Sequence, residues 1–262
     1  MTAHIIAACR SAVVPRDGAF AAHTLDALGA PVVQAALAQA GLAPRQVDDL
    51  IVSNAIGGGG NPARLIALAA GLPENVAGLS IDRQCAGGLD ALLLAKAMVE
   101  SGAADIVVAG GVESYSRRPL RLRTFSDGSP PQPYDQPPFS PWPTRDPNMT
   151  EAADTLASTL GITAEAQNDW AIESHAKALR ADAIPGEIIA LDGQDRDPFA
   201  RKLTLPLTRR AVIAAMAGTA LLPHAAQAEQ IVDLDWTDLL PEGTAPVLPD
   251  LNAFINHDTA PL

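Results

Sequence analysis

Apolar residues in the first 116 positions form short continuous runs that alternate with longer stretches of helical spacing. Four runs have the length of buried strands and cover 4–8, 47–54, 79–82 and 105–109. Three stretches have helical periodicity and cover 25–40, 63–70 and 89–101. Strands that alternate with helices of this length predict the α/β fold class, with a mixed, mostly parallel sheet flanked by helices.

The pattern changes abruptly after position 116. Prolines recur through 117–148, which predicts a long excursion that continues neither a sheet nor a helix. Helical periodicity returns over 149–160 and 163–180, with Thr163 as the expected N-cap of the second helix. A short apolar run at 187–191 predicts one more strand. The sequence therefore predicts an α/β domain over 1–116 and a loop domain over 117–205 that returns toward the sheet.

The last segment, 206–262, differs from both. Residues 208–228 contain a pair of arginines, a weakly apolar stretch and the small-residue sequence Ala226-Gln227-Ala228, and an acidic, proline-rich part follows. That order of parts resembles a twin-arginine export signal taken from an unrelated protein. The alternative is a buried alanine-rich helix. The apolar stretch is too short to span a bilayer comfortably, so no membrane span is expected.

Composition and charge narrow the class of partner. The 262 residues carry a formal charge of -12, with 48% hydrophobic and 18% charged residues, as in a globular protein. The acidic balance argues against nucleic acid or an anionic membrane as the main partner, but allows a phosphate-bearing ligand at a local site. Two cysteines form neither a disulfide framework nor a zinc motif, so no metal is expected. Reduced thiols predict a cytoplasmic protein.

Cys85 is the candidate for chemistry, because it lies where a predicted strand gives way to a predicted helix. The N-terminus of a helix favours negative charge, and its backbone N–H groups can bind an oxyanion during acyl transfer. Gly87 and Gly88 leave room beside the sulfur for a bulky thioester. The alternative is an inert, buried cysteine. Cys9, on an apolar run, fits that alternative better.

Several separated blocks together resemble the thiolase family. They are Gly60–Arg64, Ala70–Pro73, Arg83–Leu89, Ala109–Ser114, Glu173–Ala178 and Arg196–Phe199. The resemblance covers roughly residues 3–205, and the agreement in order and spacing makes it specific. Ketoacyl synthases, which also place a cysteine on such a turn, lack the Gly60–Arg64 block and are the second choice by fold.

The resemblance implies transfer of an acyl group between a coenzyme A thioester and a carbon or thiol acceptor, as in lipid metabolism. Cys85 would take the acyl group and its backbone N–H would help to bind the oxyanion, while Met149 would contact the substrate. Coenzyme A enters as substrate, and no resident cofactor is implied. The chain departs from the family at Gly87, where serine is usual, at Tyr115, where methionine is usual, and at Asn148–Thr150, where His-Met-Gly is usual.

The family also uses a histidine and a second cysteine from a C-terminal half, and their motifs do not occur in this sequence. No cysteine follows Cys85, and neither His224 nor His257 has the expected glycine neighbours. The sequence therefore predicts a thiolase-like acyltransferase that is inactive alone, and that acts as a homo-oligomer or with a chain that supplies the missing half. The alternative is a non-catalytic fragment or binding module that arose by gene fusion or truncation. An exported protein is disfavoured, because an internal signal is not normally recognised.

Overall fold

The computed structural model describes residues 2–181 and 186–203, and every structural statement below concerns these ranges. The signal-like segment predicted at 208–228 and the acidic part that follows it lie outside the described residues. The division of the chain at position 205 stays a prediction for the same reason.

Three parallel strands form the central sheet. β2 (Asp49–Ser53) lies in the middle, with β3 (Leu79–Ile81) on one side and β4 (Val107–Gly111) on the other. Ile51 is opposite Leu79 in one neighbour and Ala109 in the other. Parallel strands need crossover connections, and the helices between these strands provide them. The predicted α/β fold class is confirmed.

Helices cover both faces of this sheet. α1 (Leu25–Ala40) and α2 (Pro62–Ala69) pack on the face to which Leu50 and Val52 contribute. α3 (Gly87–Ser101) packs on the opposite face, where Ile51 contacts Ala91 and Ala95. Since side chains along a strand alternate between faces, three successive residues of β2 supply both hydrophobic layers.

Local sequence signals explain the helix ends. α1 stops at Gly41, whose φ of 66° is left-handed and costs glycine little. α2 begins after Asn61, whose side-chain oxygen accepts a hydrogen bond from the Arg64 N–H at 3.1 Å, with Pro62 in the first turn. α1 has the predicted bounds, and α2 begins and ends one residue before the prediction.

The described chain contains two more helices after the proline-rich segment, α4 (Met149–Thr159) and α5 (Ala164–Arg180). The Thr163 hydroxyl accepts from the Ala166 N–H at 3.1 Å, which confirms the predicted N-cap. The proline-rich segment before them continues neither the sheet nor a helix, as expected. It does form a small antiparallel pair of its own, β5 (Leu122–Arg123) with β6 (Gln132–Pro133).

The prediction of a strand at 4–8 was wrong. The first strand is β1 (Arg10–Ser11), which pairs in parallel with β7 (Ile188–Ile189), and Ile5 and Ile6 are 79% and 62% exposed. An apolar run becomes a strand only where a neighbour satisfies its backbone and covers its side chains. Among the described residues, no strand pairs with 4–8, and most of its side chains stay exposed.

Arg10 in β1 forms ion pairs with two residues near the end of the described chain. Its guanidinium donates two hydrogen bonds of 2.8 Å to Asp197 and one of 2.8 Å to Glu187. Asp197 also accepts from the Val13 N–H at 2.7 Å. Burial raises the pKa of Asp197, but the Arg10 and Val13 hydrogen bonds outweigh that effect and leave the pKa below its ordinary value.

α3 packs small residues inward and large ones outward. The residues that it buries are Gly87, Ala91 and Ala95. Four leucines are 41% to 61% exposed, and we call them the leucine face: Leu89, Leu92, Leu93 and Leu94. Among the described residues, the leucine face is thus an apolar surface that stays largely open to solvent.

Candidate active site

Cys85 lies in the turn that connects β3 to α3. A short 3-10 helix, Gln84–Ala86, carries it directly into the first turn of α3. The cysteine is exposed and free. Its turn lies at the edge where the three parallel strands end, and in open α/β sheets ligands bind outside that carboxyl edge.

The backbone just before Cys85 has an unusual conformation. Gln84 has a φ of 49°, in the left-handed region that residues with a side chain rarely adopt. The Asp82 Oδ1 atom accepts a hydrogen bond from the Gln84 N–H at 2.8 Å. Next to them, Arg83 forms a 2.8 Å ion pair with Asp90 on α3. The cysteine is therefore presented from a turn with side-chain support on both sides.

The two glycines after Cys85 differ in their surroundings. A Cβ added to Gly87 would collide with the Ser53 hydroxyl and lie 2.8 Å from the Ser53 Cβ, whereas one added to Gly88 would meet nothing within 4 Å. Gly87 thus allows α3 to begin in contact with the end of β2. Where the family usually has serine, this chain has glycine, and the Ser53 side chain fills the space.

A polar cluster of Asn54 and Glu113 organises the neighbouring loop. The Asn54 Oδ1 atom accepts from the N–H groups of Gly57 at 3.1 Å and Gly58 at 2.9 Å. Its Nδ2 donates to the Val112 carbonyl at 2.9 Å and to Glu113 at 3.0 Å. Two N–H groups of the glycine run at 57–60 are therefore bound within the protein, as in a structural turn, and are not available to a phosphate.

The Glu113 carboxylate also accepts hydrogen bonds from the N–H groups of Ala55 and Ile56. Partial burial of this carboxyl raises its pKa above the ordinary value, and the nearby Asp82 charge adds to the rise. The hydrogen bonds from Ala55 and Ile56 act against both. Sequence reasoning did not single out Asp82, Asn54 and Glu113 as site residues, although all three lie within two residues of the end of a strand.

The other candidate residues lie elsewhere. Met149 begins α4 and is 66% exposed, and no described contact brings it to Cys85. His175 is buried on α5, where its Nδ1 accepts from the Arg201 N–H at 3.2 Å. His23 pairs with Asp192 at 2.9 Å. Among the described residues, no histidine hydrogen-bonds the Cys85 thiol.

Neither a metal-binding cluster nor a membrane-spanning helix occurs in the described ranges. They contain no group of three or more His, Cys, Asp or Glu side chains arranged to hold a metal ion. Of the helices there, none has both the length and the hydrophobicity needed to cross a membrane.

A parallel sheet between helical layers, with an exposed cysteine on the turn from β3 to α3, defines an α/β protein with a candidate nucleophile at the carboxyl edge of its sheet. The family model of the thiolase N-terminal domain matches residues 3–200. This chain belongs to the thiolase family.

Known relatives and structures agree with that assignment. A Staphylococcus epidermidis protein whose name assigns it acetyl-CoA C-acetyltransferase activity is 42% identical over 137 residues, which are 51% of this chain and 36% of the relative. A Staphylococcus aureus protein of the same name is 37% identical over 133 residues, 50% of this chain and 35% of the relative. The chain thus matches about a third of the length of these curated relatives.

Among solved structures, a Bacillus anthracis acetyl-CoA acetyltransferase is similar with a TM-score of 0.66 and 30% identity, over 79% of this chain and 56% of that one. A thiolase from Ascaris suum, solved in complex with coenzyme A, has a TM-score of 0.69 at 23% identity, over 82% of this chain and 58% of that one. At that identity, the second likeness shows the fold alone.

Proposed function

We propose that Cys85 accepts an acyl group from a coenzyme A thioester. The observation that carries this proposal is the exposed, unpaired thiol of Cys85 at the start of α3, in a chain of the thiolase family. The relatives named for acetyl-CoA acetyltransfer support an acetyl or other acyl thioester as the substrate class. No resident cofactor takes part in the step.

The step is a thioester exchange. The Cys85 sulfur attacks the carbonyl carbon, a new C–S bond forms, and the bond between that carbon and the sulfur of coenzyme A breaks. The proton that leaves the Cys85 thiol ends on the departing coenzyme A thiol. Negative charge on the carbonyl oxygen is greatest between these events, and the backbone N–H of Cys85 and the positive end of α3 would stabilise it.

Complete turnover requires groups beyond Cys85. A base must remove the thiol proton and, for condensation, a proton next to a carbonyl. No histidine among the described residues hydrogen-bonds Cys85, so we place these groups on a second copy or on a chain that supplies the C-terminal half. The leucine face of α3 would form part of that contact. Within the loop domain proposed for 117–205, Met149 would contact the substrate only once the complex has formed.

Mass spectrometry of the full chain tests the first step. After incubation with acetyl-coenzyme A, we expect one acetyl group on the peptide that contains Cys85, and its loss in Cys85→Ser. Cys9→Ser is the matched control and keeps the adduct, because burial raises the pKa of Cys9 and its thiol donates to the Val32 carbonyl at 3.4 Å. An adduct that survives Cys85→Ser would contradict the proposal. Failure of the wild-type chain to become acetylated would favour the non-catalytic binding module.

A further inference from the structure

The residue before Cys85 is in a conformation that its own chemistry does not favour. Gln84 has a side chain and a φ of 49°, and such backbone strain persists only where the surroundings hold it. Since Gln84 and Cys85 are neighbours in the chain, any relaxation of Gln84 would change the direction from which the thiol is presented.

Asp82 provides the contact that holds this backbone. Its Oδ1 atom accepts the Gln84 N–H at 2.8 Å, and the Gln84 side-chain amide lies 3.4 Å from both carboxylate oxygens. Asp82 itself follows β3 directly, and the last residue of that strand, Ile81, accepts from the Asn54 N–H at 3.0 Å. A short series of contacts thus connects the sheet to the cysteine turn.

We infer that Asp82 is a positioning residue for Cys85, which acts by accepting the Gln84 N–H and so fixing the left-handed turn. This role rests on the proposed function of Cys85 and adds a second residue to it. A competing role is purely electrostatic. In that role the negative charge of Asp82 would oppose negative charge that develops at the reacting site, and so would slow the reaction. The two roles predict opposite effects when the side chain is removed.

The test measures two rate constants for Cys85 in the full chain, alkylation by iodoacetamide and acetylation by acetyl-coenzyme A, each followed on the Cys85 peptide. Asp82→Ala removes the hydrogen-bond acceptor, and we expect both rates to fall about ten-fold. Asp82→Asn keeps an acceptor oxygen without the charge, and should react at the wild-type rate or faster. In the double variant Asp82→Ala/Gln84→Gly, glycine adopts positive φ without strain, so the rates should recover to within about three-fold of wild type.

Asp127→Ala is the matched control. Asp127 accepts the Ser129 N–H at 2.9 Å, two residues ahead as in the Asp82 turn, but within the proline-rich segment. Its loss should leave both rates unchanged. Thermal unfolding followed by circular dichroism shows whether each variant is folded, and recovery in the double variant separates a local change at the turn from general loss of structure.

The inference is overturned if Asp82→Ala reacts as fast as wild type or faster, if Asp82→Asn is as slow as Asp82→Ala, or if Gln84→Gly restores nothing. Alkylation does not involve coenzyme A. The expected pattern in alkylation without any acetylation would therefore refute the proposed function and leave the positioning role standing. Acetylation of Cys85 without the expected differences among the Asp82 variants would support the proposed function and refute the positioning role of Asp82.

Discussion

At the scale of single residues, the contact between Gly87 and Ser53 determines how closely α3 approaches the sheet. Gly87→Ala should lower the free energy of unfolding by about 1–3 kcal/mol, because the new methyl group overlaps the Ser53 side chain. Gly88→Ala, one residue along, meets open space and should be neutral or stabilising by up to about 1 kcal/mol. Urea denaturation of the two variants measures both values.

A second-site variant checks the cause of that effect. Ser53→Gly removes the atoms that a Cβ at Gly87 would meet, so it should recover part of the stability lost in Gly87→Ala. Recovery is incomplete, since glycine inside a strand itself costs about 0.5–1 kcal/mol. Equal losses in Gly87→Ala and Gly88→Ala would show that the close approach of Ser53 does not control this helix.

Sequence reasoning singled out Cys85 because the change from strand to helix is a local signal. It did not distinguish Gly87 from Gly88, since the difference comes from Ser53, which is remote in sequence. The polar cluster was missed for the same reason. Asn54 contacts Glu113 across 59 positions, and two of the carboxylate's partners are backbone N–H groups that no residue pattern marks.

At the scale of elements, α5 is joined to the end of the described chain by a buried histidine. His175 is 3% exposed and accepts from the Arg201 N–H, while its Nε2 has no hydrogen-bond partner among the described residues. Burial, and secondarily the Arg201 charge, lower the pKa of His175 below its ordinary value. The imidazole is therefore neutral in the folded chain near neutral pH.

That burial makes stability depend on pH. The unfolded chain binds a proton at His175 near its ordinary pKa of about 6.5, whereas the folded chain binds it only at lower pH. The contribution of His175 is thus complete above about pH 6.5 and declines as the pH falls below it. We expect the free energy of unfolding, measured in urea, to fall between pH 7.5 and 5.5, and to fall less in His175→Gln.

His4→Gln is the control for this prediction, because His4 is exposed in the folded chain. It should keep the wild-type decline. If His175→Gln declines as steeply as wild type, another titrating group is responsible.

Among the elements, those with local signals were predicted well. Gly41 ends α1 and Thr163 begins α5, and both residues act through hydrogen bonds within a few positions. The first strand was placed wrongly because strand formation depends on a partner. Arg10–Ser11 pairs with Ile188–Ile189, whereas no strand in the described part of the chain pairs with the more hydrophobic run before it.

At the scale of the whole molecule, the leucine face is an apolar surface that the described residues leave largely exposed. In a dilute solution of the protein, Leu93→Ala should lower the free energy of unfolding by less than about 1 kcal/mol, because Leu93 is already 54% exposed. Leu50→Ala is the matched substitution in the core, where Leu50 is 1% exposed, and should cost about 2–5 kcal/mol. Chemical denaturation at low protein concentration compares them.

Binding of a second copy or a complementary chain to the leucine face would change the effect of Leu93→Ala. Once the face is covered, Leu93→Ala should weaken the complex, which light scattering after size-exclusion chromatography would detect. If Leu93→Ala and Leu50→Ala cost the same in dilute solution, the leucine face is already buried there.

The exposure of the leucine face on α3 also affects the heat capacity change of unfolding. Unfolding raises the heat capacity in proportion to the apolar surface newly exposed to water, and the part of the four leucines that water already reaches adds nothing to that rise. That exposed part therefore contributes nothing to the curvature of the stability curve. Covering the leucines lowers the heat capacity, and hydrophobic association weakens on cooling. We therefore expect any complex that forms through the leucine face to weaken on cooling, which light scattering at 4 °C and 25 °C would detect.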